Sequence, residues 1–219
     1  MSHVKPNRAY SRAEYLSDAV VHGFGIGGAL IAGPVIVALA AIWIGDPGLV
    51  TALSVYAFCM LAMWVASAFY NLVLRAEWTD RLRRIDQSVI YFKIAGTYTP
   101  FIALASGSFG FLAGIWAVAV AGASMILLSR TQPVVMAIVL YLALGWAGAV
   151  MGGPLVSTLS PLAFWLLVAG GLTYSAGVVF NVWGSLPFHN TIWHVFVLTG
   201  TICCYAAIVA EVAQAAPAA

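Results

Sequence analysis

The sequence predicts an all-α membrane protein, a bundle of seven transmembrane helices with its N-terminus cytoplasmic and its C-terminus outside. Three observations carry this. Of 219 residues, 63% are hydrophobic and 7% charged, with mean hydropathy +1.00, whereas an average soluble domain is about 45–50% apolar and about 25% charged. The apolar residues fall into seven runs, each near the roughly 20 residues that cross about 30 Å of hydrocarbon. Basic residues gather on alternate connections. Such composition excludes both an ordinary soluble domain and a disordered chain. Continuously apolar stretches such as Val134–Met151 exclude a barrel, whose strands alternate over about ten residues.

The first run, 18–44, follows a polar segment, 1–17. It exceeds the length of a signal-peptide core and is read as a span. Gly45-Asp46-Pro47-Gly48 separates it from the second run, 49–74. Next comes a charged link from Arg75 to Arg84, then the third run, 85–105. Ser106-Gly107-Ser108 precedes 109–128, Arg130-Thr131-Gln132-Pro133 precedes 133–151, and the stretch from Gly152 to Pro161 leads into 161–183. Gly184-Ser185-Leu186-Pro187 leads into the last run, 192–213. Each break is rich in turn formers. The membrane domain is therefore 18–213, with a short external tail at 214–219. Eight of the nine basic residues (Lys5, Arg8, Arg12, Arg75, Arg81, Arg83, Arg84, Arg130) fall on the N-terminal side of the membrane and none on the other. That bias makes the N-terminal side cytoplasmic.

Three motifs are set aside. Cys59, Cys203 and Cys204 lie inside apolar runs without the spacing of a disulfide framework or thiolate zinc site. Gly23-x-Gly25-x-x-Gly28 follows no strand and reads as close helix packing rather than a nucleotide site. Pro100 removes a helical hydrogen bond to Gly96.

Polar residues within spans are costly and need a reason. Glu14, Ser17, Asp18 and His22 open the first span; Ser67 and Asn71 close the second, and Asp86 opens the third. Asn181 closes the sixth, and His189, Asn190 and His194 open the seventh. All lie toward the cytoplasmic side, which predicts a polar chamber there, formed by His22, Asn71, Lys93, Asn181 and Asn190. Ser67 with Asn71, and Asn190 with His194, are four residues apart and share a helix face. Lys93 lies about 12 Å into the third span and is expected to lean back toward Asp86, two turns earlier. Glu211 reads as a solvated residue at the outer interface.

Two stretches resemble a known family. Arg84-Ile85-Asp86 with Ile94-Ala95-Gly96-Thr97-Tyr98-Thr99-Pro100-Phe101, and the stretch from Leu186 to Leu198, are similar to the third- and seventh-helix signatures of bacterial hemolysin III proteins. These are a branch of the progestin and adipoQ receptor family, within a wider set that includes alkaline ceramidases. Glu14, Ser17 and His22 resemble the opening motif, and Ser67-Ala68-Phe69-Tyr70-Asn71 the second-helix motif Ser-x-x-x-His. The resemblance implies seven helices in a bacterial inner membrane. It also implies a zinc ion held by three histidines, one from the second helix and two from a His-x-x-x-His in the seventh, beside the serine and aspartate that match Ser67 and Asp86. This chain departs from that set: Asn71 and Asn190 stand at two of the three histidine positions, and His194 is the sole retained expected ligand. Amides are poor zinc ligands, so the metal site is expected to be lost and no cofactor is expected.

The leading expectation is a non-catalytic protein that binds membrane lipid or fatty acid and acts in membrane homeostasis, with no nucleic-acid partner. The alternative is a lipid amidase or esterase with Ser67, Asp86 and His194 as catalytic residues. A channel or cytolytic pore is the second alternative, although polar residues are sparse in the outer halves of the spans. A retinal-type receptor is disfavoured because its lysine is expected in the last helix.

Overall fold

A computed structural model describes residues 10–73, 76–105, 109–129, 134–151 and 153–216. Eight helices follow one another: α1 (Arg12–Trp43), α2 (Pro47–Leu72), α3 (Ala76–Leu104), α4 (Phe109–Leu128), α5 (Val134–Met151), α6 (Gly153–Thr158), α7 (Pro161–Val182) and α8 (His189–Ala215). The expected loops at 106–108 and 130–133, and Lys5, Arg8, Arg75 and Arg130, lie outside the described residues.

The helix count and three boundaries differ from expectation, each for a local reason. The eighth helix is the short α6, formed in the link between the fifth and sixth apolar runs. α1 begins six residues before the apolar run because Ser11 caps it. The Ser11 hydroxyl accepts from the Glu14 amide at 3.2 Å, and the Glu14 carboxylate accepts from the Ser11 amide at 2.9 Å, a reciprocal capping box. α3 begins at Ala76, so the charged link is largely helical. Arg83 pairs with Asp80 one turn earlier at 2.9 Å. Arg84 donates to the carbonyls of Leu127 and Ser129, satisfying acceptors at the end of α4 that have no partner within that helix. α8 starts at His189 rather than 192, which brings Asn190 into its first turn.

Among the described residues, five helices, α1, α2, α4, α7 and α8, are long and apolar enough to cross a membrane, and α5 holds a shorter apolar stretch, Val135–Val150. α1 packs on α2 and α8, and α2 on α3; α3 also meets α4, α5 and α8, and α7 lies along α8. The larger core cluster, with Ile36, Leu53, Tyr56, Trp64, Ile102 and Ile208, lies among α1, α2, α3 and α8. A second, with Tyr91, Ala119, Ala123 and Leu144, joins α3 to α4 and α5. Large apolar side chains such as Phe24, Ile31, Ile42, Phe58 and Trp165 are exposed, as a lipid-facing surface requires.

Gly25 sets one helix spacing. A Cβ there would stand 2.3 Å from the Trp64 ring, so the glycine lets α2's tryptophan lie against the α1 backbone. Glu211 is buried rather than solvated. Its carboxylate accepts from the Ser160 amide at 2.9 Å, just ahead of α7, where a helix start leaves backbone donors without acceptors.

Candidate functional site

Four helices converge at one end of the bundle, where α1 and α8 begin and α2 finishes. α1 supplies Asp18 and His22, one turn apart; α2 supplies Ser67 and Asn71, and α8 supplies Asn190 and His194. α3 supplies Asp86, which faces Ser67 and His194. Asp18 and His22 are each 1% exposed and His194 3%. The connection before α8 is tied in place by Glu14, whose second oxygen accepts from the Phe188 amide at 2.9 Å, and by the hydroxyl pair Ser17 and Thr191 at 2.9 Å.

The network is continuous. His194 Nδ1 lies 2.7 Å from Asp18 Oδ1, and the Asn190 amide donates to Asp18 Oδ2 at 3.0 Å and to Asn71 Oδ1 at 2.9 Å. Asn71 donates to the Ser67 carbonyl at 2.8 Å and to its hydroxyl at 3.3 Å. His22 Nδ1 lies 2.8 Å from the Asp18 carbonyl. Both imidazole Nε2 atoms reach Ser67 Oγ, from His22 at 3.1 Å and from His194 at 3.2 Å. Outside the spans, burial and then the Asp18 and Glu14 carboxylates push the Tyr10 phenol well above its usual range.

Hydrogen-bond capacity limits the proton positions. A carbonyl only accepts, so His22 Nδ1 must donate to Asp18 O. A carboxylate at Asp18 likewise makes His194 Nδ1 a donor. Ser67 Oγ has one proton and two lone pairs, and Asn71 takes one of the lone pairs. The single Ser67 proton therefore serves one of the two facing Nε2 atoms, not both.

Zinc is the metal the family resemblance implies. Asp18, His22 and His194 offer ligand atoms within 4.8 Å of one another, so His194 is not the only available imidazole. Tetrahedral zinc with nitrogen ligands at about 2.0–2.1 Å sets its ligand atoms about 3.3 Å apart. Asp18 Oδ1 and His194 Nδ1 are closer, at 2.7 Å, in direct hydrogen bond. Asp18 orients His194 from behind, and only two imidazole nitrogens point at a common centre. In this arrangement the residues do not fit a three-ligand zinc site.

A cavity of roughly 230 Å³ opens beside the network. Ser67, Asp86 and His194 lie in its wall, as does Lys93, and the rest is mainly apolar, including Trp64, Phe101, Trp146, Phe164 and Trp193. The expected polar chamber is thus two things: a hydrogen-bonded cluster holding His22, Asn71 and Asn190, and an apolar cavity alongside. Asn181 belongs to neither; it is exposed at the end of α7. Lys93 does not pair with Asp86. It donates to the Tyr174 hydroxyl and lies 4.3 Å from that ring's centroid. Seven residues separate Lys93 and Asp86 by about 10.5 Å along a helix, and the tyrosine is nearer. The sequence signal for Asp18 is its i,i+4 spacing from His22, while nothing local marks Tyr174.

Comparison with known proteins gives the same assignment as the motifs. Residues 12–205 match the family described as haemolysin-III related. The chain is 33% identical over 193 residues to a hemolysin-3 homolog of Bacillus subtilis (strain 168), covering 86% of this chain and 89% of that protein. It is equally similar, 33% over 193 residues, to hemolysin-3 of Bacillus cereus, with 86% and 87% covered. The human monocyte to macrophage differentiation factor is 32% identical over 170 residues, covering 70% of this chain and 67% of that protein. An all-helical chain with several apolar spans, matched over this length, is an integral membrane protein that belongs to the haemolysin-III-related family.

Proposed function

We propose that this protein binds an acyl-chain lipid in the cavity beside the Asp18–His194 network and serves membrane homeostasis without resident zinc. The observation that carries the reading is the cavity wall: largely aromatic and aliphatic, with Ser67, Asp86 and His194 at one part of it. Apolar lining with a few polar groups suits a ligand with a hydrocarbon chain and a polar head. The surplus of arginine on the connections near the network supports an N-terminus in the cytoplasm of a bacterial cell, with the network at the cytoplasmic face of the inner membrane. The Ser67 hydroxyl, shared by two imidazoles and the Asn71 amide, supports a structural role for the cluster.

Native mass spectrometry of the purified full chain tests this. The expected result is an adduct of one acyl lipid per chain, absent when Gly145→Trp fills the cavity from a wall position with open space around it. An adduct that survives the filled cavity, or none from wild type, contradicts the reading.

A second reading, hydrolysis of a lipid ester or amide, is favoured by one specific observation, the order Ser67–His194–Asp18 at 3.2 and 2.7 Å. His194 Nε2 would take the Ser67 hydroxyl proton as Oγ attacks the acyl carbonyl. That proton would pass to the leaving alcohol or amine, and water would release the acid from acyl-Ser67. Asp18, rather than Asp86, would orient the base. Acyl transfer to Ser67, seen as a mass gain lost in Ser67→Ala, would establish it.

A further inference from the structure

Lys93 is buried in α3, 4% exposed, and its side chain lies in the cavity wall. Its surroundings can be followed atom by atom. The Thr201 hydroxyl donates to the Val197 carbonyl at 2.8 Å, so it accepts from the Tyr174 hydroxyl at 2.7 Å. The Tyr174 oxygen is then free to accept from Lys93 Nζ. This chain of donors uses one ammonium hydrogen and holds Nζ beside the tyrosine ring. An ammonium has three hydrogens to give. Among the described residues, no carboxylate lies within ion-pair distance of Nζ and no other side-chain or backbone acceptor is within hydrogen-bond distance.

An ammonium buried here without a counter-ion is costly, and a ligand carboxylate relieves that cost through charge-assisted hydrogen bonds. The cavity wall holds a single lysine and no arginine. Its roughly 230 Å³ is below the ordinary 300–1,000 Å³ of ligand cavities, which excludes a two-chain phospholipid. Resting on the acyl-lipid reading above, we infer that Lys93 is the anchor for the carboxylate of a single-chain fatty acid, held by the ammonium donors that Tyr174 leaves free, with the hydrocarbon chain along the apolar wall. The Tyr174–Thr201 relay positions the ammonium, because each hydroxyl proton is committed away from the lysine.

The test compares palmitic acid with hexadecanol, which matches the chain and lacks the charge, on the full chain in detergent. Wild type is expected to prefer the acid by about tenfold or more, the range of a charge-assisted hydrogen bond. Lys93→Arg keeps the preference; Lys93→Met loses the preference for the acid. A measurement on wild type alone stands beside it: palmitic acid labelled with carbon-13 at the carboxyl is expected to bind as the carboxylate at pH 7, read by its chemical shift. Equal binding of acid and alcohol by wild type, a protonated bound carboxyl, or a preference that survives in Lys93→Met overturns the anchor and leaves the cavity reading standing. Failure of wild type to bind either compound overturns both.

Discussion

His194 Nδ1 stands 2.7 Å from Asp18 Oδ1 although 176 residues separate the two in sequence. This bond joins the first and last helices at the site, and both side chains are buried. Removing one partner leaves a buried polar group without its hydrogen bond. Asp18→Ala is expected to destabilise the protein by about 1–3 kcal/mol, seen as a lowered midpoint in thermal unfolding in detergent. His194→Ala should act similarly, and the double variant should cost less than the two single costs together.

Asn71 and Asn190 occupy two positions where the family resemblance expects histidine, and they hydrogen-bond each other at 2.9 Å. The double variant Asn71→His/Asn190→His adds two imidazoles beside His194. It is expected to bind about one zinc per chain, measured by elemental analysis after dialysis, whereas wild type holds well below one. Stoichiometric, tightly bound zinc in wild type would contradict the loss of the site.

Glu14 does two jobs at once, closing the α1 capping box and accepting from the Phe188 amide. Loss of a cap costs about 1 kcal/mol and loss of a charge-assisted bond about 1.5–3. Glu14→Ala is therefore expected to lower stability by roughly 2–4 kcal/mol. Amide hydrogen exchange should quicken at 184–190, ahead of and into α8. Unchanged exchange there would show that the Phe188 bond does not hold this connection.

At Gly25 the expected defect is one of volume. A methyl group would fall among the Trp64 ring atoms at 2.3–2.6 Å, so Gly25→Ala should cost about 1–3 kcal/mol through overpacking. Combining it with Trp64→Leu should return part of that loss, measured by thermal unfolding.

Features that depend on spacing within one helix were legible in the sequence. Ser67 and Asn71, and Asn190 and His194, share helix faces because four residues make about one turn, and all four meet in the network. The apolar runs likewise located the spans. What was not legible depended on partners from distant helices. Lys93 has Asp86 two turns away on its own helix, but Tyr174 on α7 supplies both a hydroxyl and a ring face nearer by. Glu211 looks like an interfacial acid until the Ser160 amide is placed beside it. Asn181 follows the polar pattern yet is exposed, because position along a helix does not set which way a side chain faces. The charged stretch before the third run is helical because Arg84 finds acceptors at the end of α4, a contact invisible in hydropathy.

Entry of an acyl chain into the cavity is tested most directly by quenching of tryptophan fluorescence with a dibrominated fatty acid. Trp64, Trp146 and Trp193 lie in the cavity wall, so a bound chain brings bromine against them. Saturable quenching at one site per chain is expected, reversed by unlabelled palmitic acid and abolished by Gly145→Trp. Quenching that rises linearly with added lipid and ignores the filled cavity would contradict it.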